Sequence, residues 1–181
     1  DKLDWLNGLY IRELMPAALK EAVLPFLVRD LGRSEAELRA DARLDILVPL
    51  IQERIKRLDE AAGWIDWAFV DADEIQYDDP SLLLGKKLDA AQSAAVLARG
   101  AELLATLEPF AADAMQEAFR TAADEMDIKA GSFFGPFRAA ISGKQVSPPL
   151  FESMEALGRT EVLRRIDNAR RVLSAQETAS V

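Results

Sequence analysis

Residues 43–58 read Arg-Leu-Asp-Ile-Leu-Val-Pro-Leu-Ile-Gln-Glu-Arg-Ile-Lys-Arg-Leu, with apolar side chains at Leu44, Leu47, Val48, Ile51, Ile55 and Leu58. Steps of three and four put all six on one face of a helix, the pattern of an amphipathic α-helix laid on a core. The same spacing returns at Leu97, Ala101, Leu104 and Leu107. It recurs almost everywhere, so the chain reads as all-α. Helices are expected near residues 3–14, 16–31, 34–40, 42–58, 59–70, 87–107, 109–126, 130–143, 148–157 and 160–174.

Local signals bound these segments. Ser34 followed by Glu37 is a capping-box start, and Asp79-Pro80-Ser81 sets turn residues ahead of a short apolar run. Ser147 ahead of Pro148-Pro149 fits a helix cap, because proline is tolerated in a first turn. Gly32, Gly143 and Gly158 are placed to close helices. The acidic stretch from Asp71 to Pro80 lacks helical periodicity and is the natural join between two helical subdomains, 1–77 and 78–181. The tail from Ser174 to Val181 is expected to fray.

Composition narrows the function classes. The chain has 181 residues, half of them apolar, which suffices for a buried core. Its longest apolar runs, such as Ala22 to Val28, are too short to cross a bilayer. Without cysteine there is no disulfide framework, thiolate nucleophile or cysteine-based zinc site, and without histidine most hydrolytic triads are excluded. The opening Asp1-Lys2-Leu3-Asp4-Trp5 has neither Met nor a secretory pattern, which points to a cytoplasmic piece of a longer polypeptide. The net charge of -9 is unevenly spread. Residues 131–181 carry seven Lys or Arg against five acids, a net of +2, which leaves -11 for residues 1–130. The basic end can face a polyanion locally.

Several patterns point away from chemistry. Asp71, Asp73, Glu74, Asp78 and Asp79 begin like a calcium loop, but Ile75, Gln76 and Leu82 stand where such a loop needs an oxygen ligand, Gly and Glu. No phosphate-cradling glycine motif is present, and Asp113 with Glu117 is an ordinary exposed helix face. Trp64, Trp67 and Phe69 read as core aromatics rather than a base-stacking platform.

Two regions stand out. In the expected helix Gln52–Leu58, Arg54 and Arg57 share a face while Lys56 points elsewhere, so guanidiniums can project from a rigid rod. Gly135 to Glu152 packs Arg138, a glycine-ended helix, the basic turn at Lys144 and a proline-stiffened helix start into eighteen residues. Free N–H groups at such a start, with Ser147 beside them, suit a phosphate or an unpaired base edge.

Residues 135–166, G-P-F-R-A-A-I-S-G-K-Q-V-S-P-P-L-F-E-S-M-E-A-L-G-R-T-E-V-L-R-R-I, resemble the C-terminal signature of bacterial glutamyl-tRNA synthetases. K-L-D-W-L-N-G-L-Y-I-R at the start, A-F-V-D-A-D-E-I-Q-Y-D and G-K-K are similar to other segments of the same family, so the likeness covers essentially the whole chain. It implies two small helical bundles forming an anticodon-binding α-helical cage, a monomer that reads tRNA-Glu. It places the catalytic domain, with its ATP and magnesium, upstream. The family's first ATP-site motif contains His, which this chain lacks, so no cofactor and no catalytic activity are expected of these residues alone.

Residue by residue, the resemblance puts Arg138 on an arginine that contacts the anticodon loop, and Ser147 and Leu150 beside the first and second anticodon bases. Arg57 and Lys144 are candidate supporting contacts. Arg54 falls on the position tied to the third base, C in tRNA-Glu and G in tRNA-Gln. Arg there resembles the discriminating enzymes and Gln the tolerant ones, and Gln52 stands only two residues away, so local register decides the specificity. Two other readings compete: a helical interaction module that no longer binds RNA, in keeping with the -11 of residues 1–130, and the cage of a class I lysyl-tRNA synthetase.

Overall fold

In a computed structural model of the chain, the described residues are 2–77 and 79–179, with side chains from 3 to 175. They form α1 (Lys2–Glu13), α2 (Pro16–Leu31), α3 (Glu35–Ala40), α4 (Arg43–Ile51), α5 (Ala61–Ile65), α6 (Ala90–Thr106), α7 (Ala112–Glu125), α8 (Ala130–Ser142), α9 (Leu150–Leu157) and α10 (Arg159–Ala179). No strand occurs among the described residues, as the helical periodicity requires. The helices sort into two units, Asp1–Phe69 and Val70–Val181.

The first unit is built around α2, which packs on α3, α4 and α5. Its Leu19, Val23, Leu24 and Leu27 are buried with Leu38, Leu44, Leu47, Val48 and Ile51. Full burial of each such side chain is worth roughly 1.5–3 kcal/mol. Gly32 ends α2 in the left-handed region, at φ 64°. The capping box at α3 is complete: the Glu37 N–H donates to Ser34 Oγ, and the Ser34 N–H donates to the Glu37 carboxylate.

The helix expected over 42–58 stops at Ile51. Pro49 brings no N–H to the last turn, which tightens as the Gln52 N–H donates to Pro49 O and the Arg54 N–H to Ile51 O. Long-range partners then hold the chain in a turn. The Gln52 side-chain amide donates to the carbonyls of Ile11 and Leu14, both at 2.8 Å, and the Lys56 N–H donates to Glu60 at 2.9 Å. Ile55 is still buried, so the apolar spacing continues through a segment that is no longer helix. The helix expected over 59–70 resolves into a 3-10 turn at Leu58–Glu60, α5, and a second 3-10 turn at Asp66–Phe69.

In the second unit, α10 packs along α6, α8 and α9. Its stripe Val162, Arg165, Ile166, Ala169 and Leu173 is buried. Phe119 of α7 sits among Phe133, Phe137 and Phe151, with ring centroids 4.7–5.5 Å away. Two helices start later than expected: α6 at Ala90, behind an Asp89–Gln92 capping box, and α7 at Ala112. At the other end, α10 runs on through Ser174 to Ala179, and of the tail expected to fray, residues 180 and 181 lie outside the described residues.

Part of the acidic stretch, Ala72–Glu74, packs on α10. Residues 70–77, placed in the first subdomain by the sequence reading, belong to the second unit, and Asp78, the expected first residue of the second subdomain, lies outside the described residues. Ala72 is buried, Arg164 pairs with Asp73 at 2.8 Å, and Asn168 donates to the Ala72 carbonyl. Hydrogen bonding from Asn168 and Arg164 holds the Asp73 carboxyl below its ordinary range. A carboxyl depressed by folding stabilises the native state above its unfolded pKa, about 3.9, and loses that contribution as pH falls through the folded value. The thermal midpoint is therefore expected to drop on acidification below about pH 4, and Asp73→Asn to flatten that drop, in melts recorded at a series of pH values.

Candidate nucleic-acid interface

In the second unit, four of the expected site residues lie on α8, the turn after it and the start of α9. Arg138 is exposed on α8, with no ion pair among the described residues. Helix α8 closes at Gly143, φ 71°, whose N–H donates to Ala139 O at 2.7 Å. Ser142 wires this end, donating through Oγ to Arg138 O at 2.8 Å and accepting from the Lys144 N–H at 3.2 Å. Lys144 and Ser147 are half-buried, and Val146 between them is 60% exposed.

Ser147 does not cap α9. The N-cap is Pro149, at φ -50° and ψ 136°, with no side-chain cap bond, and Ser147 Oγ lies 3.4 Å from Pro148 O. Two consecutive prolines offer no N–H to the serine, and each drives the residue before it out of helical geometry. Leu150, at 3% exposure, anchors the start of α9 in the core. The first intrahelical bond of α9 runs from the Ser153 N–H to Pro149 O, and the N–H groups before it have no helical partner.

In the first unit, Arg54 and Arg57 do not share a helical face, because no helix spans them. Arg57 is engaged by Asp59 at 3.0 Å and Glu60 at 4.0 Å. Asp59, through hydrogen bonding and charge, raises the Arg57 pKa further. Arg54 is exposed and has no ion pair among the described residues, and its guanidinium carbon lies 5.4 Å from the centre of the Trp64 ring. The neighbouring Glu53 pairs with Arg12 instead. Gln52, the competitor for the reading position, is turned inward onto the end of α1. The aromatic trio divides: Trp67 and Phe69 are core, at 3% and 9% exposure, while Trp64 is half-buried beneath Arg54.

Two residues with structural leverage on these sites were not singled out from the sequence. Trp64 reads as core from its spacing and is half-buried in the structure. Arg165, fully buried, donates to Glu161, Ile141 O and Val70 O, tying α10 to the end of α8 and to the acidic segment. Its signal was present: it stands between Val162 and Ile166 inside the apolar stripe, where a cation has no water to face. Among the described residues no three acids converge as a metal site would need.

Residues 18–170 match the family described as the anticodon binding domain. The chain belongs to this family. Within the anticodon-binding family its similarity runs through glutamate–tRNA ligases. That of a Roseiflexus species is 39% identical over 183 residues, taking in 100% of this chain and 35% of that protein. That of Dehalococcoides mccartyi is 42% identical over 171 residues, 92% of this chain and 34% of that protein. Among solved structures, a glutamate tRNA ligase from Elizabethkingia meningosepticum in complex with its amino acid superposes with TM-score 0.78 at 19% identity, over 94% of this chain and 32% of that one, a likeness of fold. The anticodon-binding chain thus spans about a third of the length of these relatives.

Proposed function

We propose that this chain reads the anticodon of tRNA-Glu as part of a bacterial glutamate–tRNA ligase. The whole protein, a cytoplasmic monomer, joins glutamate to that tRNA with ATP and magnesium in a catalytic domain outside these residues. The observation that carries the reading is Arg54: an exposed guanidinium without a carboxylate partner among the described residues, beside a Gln52 already used inside the fold. Cytosine presents O2 and N3 as adjacent acceptors, which a guanidinium fork can meet with two donors. Guanine presents N–H groups at N1 and N2, so Arg54 would set donors against donors. In the second unit, Arg138 supplies charge to the anticodon loop, with Lys144 in support. Ser147 and the backbone at Leu150 supply hydrogen-bonding groups beside the first and second bases. Arg57, engaged by Asp59 and Glu60, contributes at most a secondary contact.

A bidentate base contact is worth about 1–3 kcal/mol, roughly tenfold to a hundredfold in preference. Equilibrium binding at one fixed salt is therefore expected to favour tRNA-Glu over the same tRNA with its third anticodon base changed from C to G. Arg54→Gln is expected to erase that preference. Retention of the full preference by Arg54→Gln would remove Arg54 from the site.

A further inference from the structure

A base-reading arginine faces a conflict between being held and being available. Its long side chain is rich in rotamers, and an unheld one loses much of that freedom on binding. Arg54 makes the problem acute because it stands in the turn after α4, where no regular helix fixes its direction. A carboxylate would fix it, but by consuming the fork of N–H donors that recognition needs. The acids nearest in sequence are otherwise engaged: Glu53 pairs with Arg12, and Asp59 and Glu60 pair with Arg57. The contact that Arg54 does make is with an aromatic ring, 5.4 Å from guanidinium carbon to ring centre. An aromatic face attracts the cation electrostatically and needs none of its hydrogen-bond donors.

That ring is itself held. Trp64 lies on α5, which packs against α2 and α4, and its carbonyl accepts the indole N–H of the buried Trp67 at 2.8 Å. A half-buried ring on a packed helix thus stands against a cation on an irregular turn. Building on the reading of Arg54 above, we infer that Trp64 is the positioning residue of the third-base contact, aiming the Arg54 guanidinium while leaving its donors free for cytosine.

The test uses the 181-residue chain with tRNA-Glu and its C-to-G variant at the third anticodon base, at one salt, with thermal midpoints recorded for every protein. Trp64→Leu is expected to cut the preference for C about three- to fivefold, the size of an exposed cation–π contact. Trp64→Phe, which keeps a ring face, is expected to retain most of the preference. In an Arg54→Gln background, Trp64→Leu is expected to change the preference no further, since the cation it positions is gone. The inference is overturned if Trp64→Leu leaves the preference intact while Arg54→Gln abolishes it, or if it weakens both tRNAs equally. Should Trp64→Leu not fold, an undiminished preference in both Trp64→Phe and Trp64→Ala overturns it likewise. A preference that survives Arg54→Gln instead overturns the reading of Arg54 itself.

Discussion

Gly143→Ala is expected to destabilise the second unit by about 2–5 kcal/mol. Two costs add. The residue sits at φ 71°, where an L side chain loses roughly 1–2 kcal/mol. A Cβ built there falls 2.0 Å from the backbone oxygen of Gln76, an overlap that only a shift of the acidic segment can relieve, and overpacking of this kind typically costs another 1–3 kcal/mol. Gly32 separates the two costs. It has φ 64° with nothing within 4 Å of its Cβ position, so Gly32→Ala should show the conformational cost alone. Urea unfolding of the two variants reads the difference. Equal effects would mean that the contact with Gln76 is not tight. Gly143 also closes the helix that carries Arg138 and opens the turn that carries Lys144 and Ser147, so its loss should weaken tRNA binding even where the protein stays folded.

Arg165→Met is expected to cost about 3–5 kcal/mol, the range for breaking a buried, hydrogen-bonded charge pair from one side. The substitution removes the nearer of the two arginine partners of Glu161, at 2.9 Å, leaving Arg164 at 3.4 Å, and takes the donor from the carbonyls of Ile141 and Val70. Arg165→Lys should not restore the loss, because one ammonium cannot reach three acceptors that a planar fork reaches together. Denaturant melts of both variants check this, and a loss below about 1 kcal/mol for Arg165→Met would show that the clamp contributes little.

These two residues also mark how far the sequence could be read. Local chemistry was legible: Ser34 and Glu37 form the capping box their spacing announces, and Gly32, Gly143 and Gly158 stand where helices end. Helix-period stripes marked Leu44, Leu47, Val48, Ile51, Leu97 and Leu104 as core, and Ile55, which is buried although its segment is not helical, whereas Leu58, Ala101 and Leu107 of the same stripes are only half-buried. What the sequence concealed was decided by partners far along the chain. The turn at 52–57 exists because Gln52 finds the carbonyls of Ile11 and Leu14, and the acidic segment is ordered because Arg164, Arg165 and Asn168 lie on a helix some ninety residues later. Asp73 is exposed as its sequence context suggests, and what the sequence does not show is its pairing with Arg164.

The site residues divide in the same way. Arg54 and Arg138 were selectable as cations in unusual local settings, and both are exposed without ion pairs among the described residues. Arg57 and Ser147 were not separable from them by spacing alone, because what distinguishes them is a carboxylate pair in one case and two prolines without N–H groups in the other. The side chain of Leu150 anchors the start of α9 in the core.

The central claim is that this chain distinguishes an anticodon. Its most direct test is equilibrium binding, at one moderate salt concentration, to tRNA-Glu and to a tRNA-Glu in which all three anticodon bases are replaced while the stem is kept. Because phosphate contacts are common to both RNAs, the ratio of affinities isolates base reading from charge. The account predicts that the altered tRNA binds at least about tenfold more weakly. Equal binding of the two, or binding of neither, would contradict it and favour a helical module that has kept the fold without the recognition.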